Sequence, residues 1–152
     1  MDVVKLPHYK NCFGCGLENP RGLKLERFWD KTNRIVFANF QLDKFHNGFE
    51  NIAHGGILAT IVDEVLWWAV FVNTKKVTFT YKLDLTFKKP VEVNKNYRAI
   101  AEVLEEKGKR IKAQAKIIDD ENNIYLEADG LFIETKDEKI QKFFEEYKSI
   151  FQ

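Results

Sequence analysis

Three kinds of group in this sequence have the means to do chemistry. Asp63 and Glu64 are adjacent carboxylates, the only charges in the run from Ile57 to Val72. Burying an ionised carboxylate is costly unless a partner compensates, so each needs a reason to be there. Just upstream, His54-Gly55-Gly56 opens the same run. A helix N-terminus offers unbonded N–H groups and the positive end of the dipole, the donors that a developing oxyanion requires. Each glycine costs a helix about 1 kcal/mol relative to Ala, and glycine stands where φ is positive or where something must approach the backbone. A tight turn against a sheet would ask for the same residues, so a turn and an anion site are both open at this point.

The third group is Cys12-Phe13-Gly14-Cys15-Gly16, which holds both cysteines of the chain. A structural zinc takes four ligands, and beyond this pair the candidates are only His8 and the distant His46. The expectation is therefore two reduced cysteines in a glycine-rich turn, with no metal and no cofactor. A redox pair would open a helix after a strand, and Gly16 with Pro20 argues against a helix there.

The elements that must position these groups follow from hydropathy. Ile57 to Val72 is apolar on almost every face, which predicts a buried helix about 24 Å long, too short and too interrupted for a membrane. Pro7, Gly14, Gly16, Pro20 and Gly22 make residues 7–22 an ordered loop. Residues 23–28 and 34–42 read as strands joined by a polar turn, and residues 45–53 as the loop that feeds the helix. Beyond it, Val77, Phe79, Tyr81, Leu83, Leu85 and Phe87 alternate with polar residues, the pattern of a half-buried antiparallel strand that ends at Pro90. Residues 97–104, 111–118 and 124–133 give three more strands with hairpin-like turns. The tail places Ile140, Phe143, Phe144, Tyr147, Ile150 and Phe151 at helical spacing, with Thr135 and Glu138 as a capping box. The class is α+β, a sheet wrapped around one long helix.

A chain of 152 residues is expected to form one domain, with 1–22 as its lead-in and 136–152 as its C-terminal helix. Twenty-four basic against 23 acidic side chains, net +1, give no electrostatic reason for nucleic acid or an anionic membrane surface. No secretory h-region follows Met1, so the expected location is cytoplasmic.

Three stretches carry a resemblance that spans roughly residues 11–134: Cys12 to Leu23, His54-Gly55-Gly56 with Asp63-Glu64, and Thr80 through Phe87 to Pro90. In these the chain resembles the hotdog-fold acyl-CoA thioesterases of the PaaI-like, phenylacetate-pathway group. The resemblance implies that Asp63 is the catalytic carboxylate, as nucleophile or as base on water. It implies that the Gly55 N–H polarises the thioester carbonyl with His54 beside it, and that the Thr80 hydroxyl positions water. It favours Asp63 over Glu64, which helical periodicity does not separate. Several relatives carry a side-chain amide where this chain has Gly48, with Asn47 and Asn51 out of register. Strand alternation also turns Thr80 away from the helix, so its role requires a bulge or an edge position.

On these roles, Gly55 and Asp63 lie about 12 Å apart along the helix, while a thioester must touch both at about 3 Å. Two antiparallel copies of the helix would bring Gly55 of one protomer to Asp63 of the other, so a homodimer is expected, with a homotetramer as a further step. The apolar helix surface around Trp67 and Trp68 also exceeds what a small sheet covers, a second expectation of an interface. Gly56 and Glu64 complete the expected substrate surface, and Lys88, Lys89 and Arg110 are expected to cluster around the CoA phosphates. A non-catalytic acyl-CoA-binding module on the same fold is the alternative.

Overall fold

The computed structural model describes residues 2–152. Its core is α1, Gly55–Thr74, which starts at His54 and stops where Lys75 takes a left-handed conformation (φ 60°) and its N–H bonds Phe71 O. Ile61, Val62, Val65, Leu66 and Ala69 have no exposed surface, as expected of a helix apolar all round. At 20 residues and a mean hydropathy of 1.6, α1 has the length and composition of a membrane span. The sequence reading made it too short; its packing as the core helix, and not its length, is what sets it apart.

Among the described residues, seven strands form one antiparallel sheet around α1: β1 Val3–Lys5, β2 Phe28–Asp30, β3 Ile35–Gln41, β4 Thr78–Phe87, β5 Asn96–Lys107, β6 Arg110–Ile118 and β7 Ile124–Glu134, in the order β1-β2-β3-β5-β6-β7-β4. This is the hotdog architecture. The inward positions of the central strands are small, with Ala99, Ala101, Ala113, Ala115 and Ala128 all buried. Short side chains let a helix carrying Trp, Phe and Leu lie close to the concave face without overpacking.

Three expectations about the chain's two flanks need correction. The lead-in is not all loop, since β1 pairs with β2 and extends the sheet. The first strand on the far side of that loop is Phe28–Asp30, not residues 23–28: Arg27, wholly buried, turns its guanidinium inward to Leu25 O and Pro7 O. The C-terminal helix α2, Glu138–Tyr147, is capped by Asp137, whose carboxylate accepts from Lys139 N and Ile140 N; the Thr135 hydroxyl accepts instead from Asp137 N, two residues on.

The surplus apolar surface of α1 is covered from within the chain. Phe143 of α2 packs edge-on against Trp67, Trp68 and Phe71 at centroid distances of 5.1, 5.6 and 5.1 Å. Tyr9 of the lead-in meets Phe143 at 4.9 Å, and Trp68 is left 2% exposed. The tryptophans therefore give no separate reason for a dimer.

Candidate active site

At the start of α1 the His54 Nδ1 accepts a hydrogen bond from Gly56 N at 2.9 Å. A nitrogen that accepts carries no proton, so the hydrogen of a neutral ring sits on Nε2. The Gly56 N–H, expected among the substrate contacts, is thus already engaged. The neighbouring Gly55 N–H has no hydrogen-bond partner among the described residues, as the first N–H groups of a helix do not. It lies at a cleft of about 660 Å³ lined by Gly48, Phe49, His54, Phe87, Lys88 and Lys89, among others. Gly48 leaves no side chain over this corner, and a Cβ there would stand 3.2 Å from His54 Cα.

Asp63 stands two turns further along α1. Its Oδ1 accepts a 2.8 Å hydrogen bond from Thr80 Oγ1. Burial holds the Asp63 carboxyl above its ordinary range, against the Thr80 hydrogen bond, which lowers it, and with a smaller push from Cys12. The Thr80 contact exists because β4 is irregular. Thr80 pairs with Phe132 and Lys82 with Leu131, so Tyr81 is extra. A bulge moves alternation by one position: Thr78 and Thr80 face the helix before it, and Leu83 and Leu85 after it. Phe79 and Tyr81, expected inside, are 54% and 71% exposed.

Periodicity left Asp63 and Glu64 equivalent, and packing separates them. Asp63 is half-buried on a pocket of about 320 Å³ that also meets Cys12, Glu64, Trp67, Thr78 and Phe143. Glu64 is buried at its base, with Cys12 Sγ 3.7 Å from Oε1. Gly14 makes room for it: a Cβ there would lie 2.9 Å from Glu64 Cδ. Burial, followed by the charge of Cys12, pushes the Glu64 carboxyl up to about 7, while the Cys15 thiol and backbone amides draw Cys12 down to about 5. In this contact the Cys12 thiol donates to Glu64 Oε1. Cys15 is pushed far above the ordinary thiol range by Cys12 and by burial.

Of the expected phosphate anchors, Lys88 and Lys89 are at the Gly55 cleft, with Lys88 Nζ 3.6 Å from Glu127 and Lys89 over the Tyr125 ring. Arg110 does not join them. It pairs with Ile133, whose β4 partner is Phe79, so it lies at the other end of the strand from Lys88. The three basic residues do not cluster within one chain. Sequence reading missed the Cys12–Glu64 contact, which joins positions 52 residues apart; the available signal was a second helix carboxylate with no cation at helical spacing.

A profile of the thioesterase superfamily matches residues 50–125, which hold Gly55, Asp63 and Thr80. Mouse (Mus musculus) acyl-coenzyme A thioesterase THEM4 is 27% identical over 128 residues, covering 84% of this chain and 55% of that protein. The chain spans about half the length of the curated THEM4 relatives it matches. Among solved structures, the thioesterase superfamily protein RHA08564 superposes with a TM-score of 0.72 at 20% identity, over 77% of this chain and 57% of the other. The E. coli PaaI protein of the phenylacetic acid degradation operon gives 0.63 at 13%, over 67% and 73%. A hypothetical thioesterase of Streptococcus pneumoniae TIGR4, solved with coenzyme A, gives 0.63 at 16%, over 66% and 81%.

Proposed function

The chain belongs to the thioesterase superfamily, and from that membership we propose that it hydrolyses an acyl-CoA thioester to the free acid and CoA. The observation that carries this reading is Asp63, half-buried and held at 2.8 Å by Thr80 in a pocket of apolar walls. In this reading the Asp63 carboxylate takes a proton from water. The Thr80 hydroxyl, donating its hydrogen to Asp63, still has lone pairs with which to orient that water. The water oxygen attacks the thioester carbon, and the carbonyl oxygen gains charge against the Gly55 N–H. The C–S bond then breaks, CoA leaves as the thiolate or thiol, and the acid remains.

Gly55 and Asp63 of one helix are too far apart to share a substrate, so the working site pairs Gly55 of one protomer with Asp63 of its partner. β4 supports a homodimer, being a ten-residue edge strand with Phe79 and Tyr81 outward. The acyl chain would fill the pocket between Trp67 and Phe143, and Lys88 and Lys89 would meet the CoA phosphates. A likeness to a structure that contains coenzyme A supports that choice of thiol. A cytoplasmic location belongs to the same proposal.

Asp63→Asn tests the reading directly. Thiol release from a panel of acyl-CoAs should fall by more than about a hundredfold while the protein stays folded. Wild-type turnover in that variant, with Glu64→Gln inactive, would move the catalytic role to Glu64. One observation favours a binding module without turnover: Gly48 leaves the corner above His54 without a side-chain amide. Tight acyl-CoA binding with no thiol release from any member of the panel would establish that alternative.

A further inference from the structure

We propose that Cys12, Cys15 and Glu64 bind a divalent cation that prefers thiolate ligands, zinc in the first instance, between the lead-in loop and α1. Their ligand atoms, two sulfurs and a carboxylate oxygen, lie within 4.8 Å of one another. Zn–S bonds of about 2.3 Å and Zn–O bonds of about 2.0–2.2 Å give tetrahedral edges of about 3.5–3.8 Å. The Cys12 Sγ to Glu64 Oε1 separation of 3.7 Å already matches. Sequence reading had two of the four positions; folding supplies the third from a helix 52 residues away.

Two further features point to a missing positive partner. Glu64 is 8% exposed, and its Oε2 has no hydrogen-bond partner among the described residues. A buried carboxylate with no cation beside it is costly to ionise, and a metal ion held on Oε1 would neutralise that charge. Charge also balances. Two thiolates and a carboxylate carry −3, a divalent cation +2, and the wholly buried Arg27 supplies the remaining +1. Arg27 stacks over Trp68 at 4.9 Å, its Nη1 is likewise unpartnered, and no carboxylate lies within ion-pair distance of it among the described residues.

The loop is shaped for this. Gly14 admits the carboxylate where any side chain would collide with it. Cys15 is fixed from behind, its carbonyl accepting from His8 Nδ1 at 2.5 Å. Three protein ligands leave the fourth tetrahedral position for water or a substrate atom, the arrangement of an open site. That position faces the pocket, because Cys12, Cys15 and Glu64 line it together with Asp63.

The test reads metal and not hydrolysis, so it stands apart from the proposed activity. The full chain is purified under reducing conditions from zinc-supplemented medium and its zinc measured by mass spectrometry; about one zinc per chain is expected. Cobalt added to the zinc-free protein should give a thiolate-to-cobalt charge-transfer band with the ligand-field bands of a four-coordinate site. Glu64→Gln should weaken zinc binding more than about a hundredfold, beyond the loss typical of outer partners, and Cys12→Ser should remove the charge-transfer band. Should the variants fail to fold, the wild-type cobalt spectrum still decides. A folded wild-type chain without zinc, with two thiols that react freely or form a disulfide and no cobalt band, would overturn the proposal.

Discussion

Thr80 has a single hydroxyl hydrogen, and the structure directs it to Asp63. A hydrogen bond to a charged group contributes about 1.5–3 kcal/mol, so Thr80→Ala should lower kcat by about ten- to a hundredfold and leave KM nearly unchanged. Thr80→Ser, which keeps the hydroxyl, should restore most of the rate. Equal turnover by the Ala and Ser variants would remove the hydroxyl from the mechanism. Gly55 separates stability from activity in another way. A Cβ there would meet the Phe87 ring edge at 3.4 Å, an ordinary contact. Gly55→Ala should therefore fold with unchanged or slightly raised stability, since alanine favours the helix. The methyl group nevertheless occupies the approach to the free N–H, and kcat/KM should drop about ten- to a hundredfold. Thermal denaturation and a thiol-release assay, run on the same sample, check both halves.

At the scale of elements, α2 forms one wall of the pocket beside Asp63. Phe143 touches Tyr9, Trp67, Trp68 and Phe71, and Phe143→Ala should cost about 3–5 kcal/mol by urea denaturation. The same change enlarges the pocket, so the preferred acyl chain should lengthen among the variants that remain folded. Strands β3 to β7 and both helices were legible because burial imposes a period of two or 3.6 on apolar residues. The bulge was not: Phe79 and Tyr81 keep the alternation of an inward strand, yet β4 is an edge strand and Tyr81 is the residue added. An edge strand has an exposed side where aromatic residues face outward, and composition does not tell that side from a core. Asp63 and Thr80 were readable as a pair only through resemblance, whereas the place of Glu64 required a loop contact that no periodicity encodes. Arg110 failed for a related reason, because register decides which strand ends meet and the sequence reading fixed no register.

Over the whole molecule, the shared-site arrangement makes a prediction that no single-chain site shares. Asp63→Asn and Gly55→Ala chains should each be nearly inactive alone. Co-refolded together, half of the dimers are mixed, and each mixed dimer holds one intact site and one doubly altered site. Activity should recover to about a quarter of wild type. No recovery, with mixed dimers verified by native mass spectrometry, would place both groups of a site in one chain. Lys88 follows the last residue of β4, while Arg110, on β6, is level with its first residues, and a two-fold partner across the β4 edge is one way for charges from both ends to approach one ligand.

The meeting of Tyr9 with Phe143 and Tyr147 sets a timetable for synthesis. Trp68 leaves the ribosome about 80 residues before Tyr147, an interval on the order of 4–16 s at ordinary translation rates. Through that interval α1 can find the lead-in loop and the first strands, but the wall that shields its indole does not yet exist. A nascent chain stalled before α2 should therefore show an exposed tryptophan and bind hydrophobic-surface chaperones. A chain in which α2 has formed, with Tyr9 and Tyr147 closing over Trp68 together, should not.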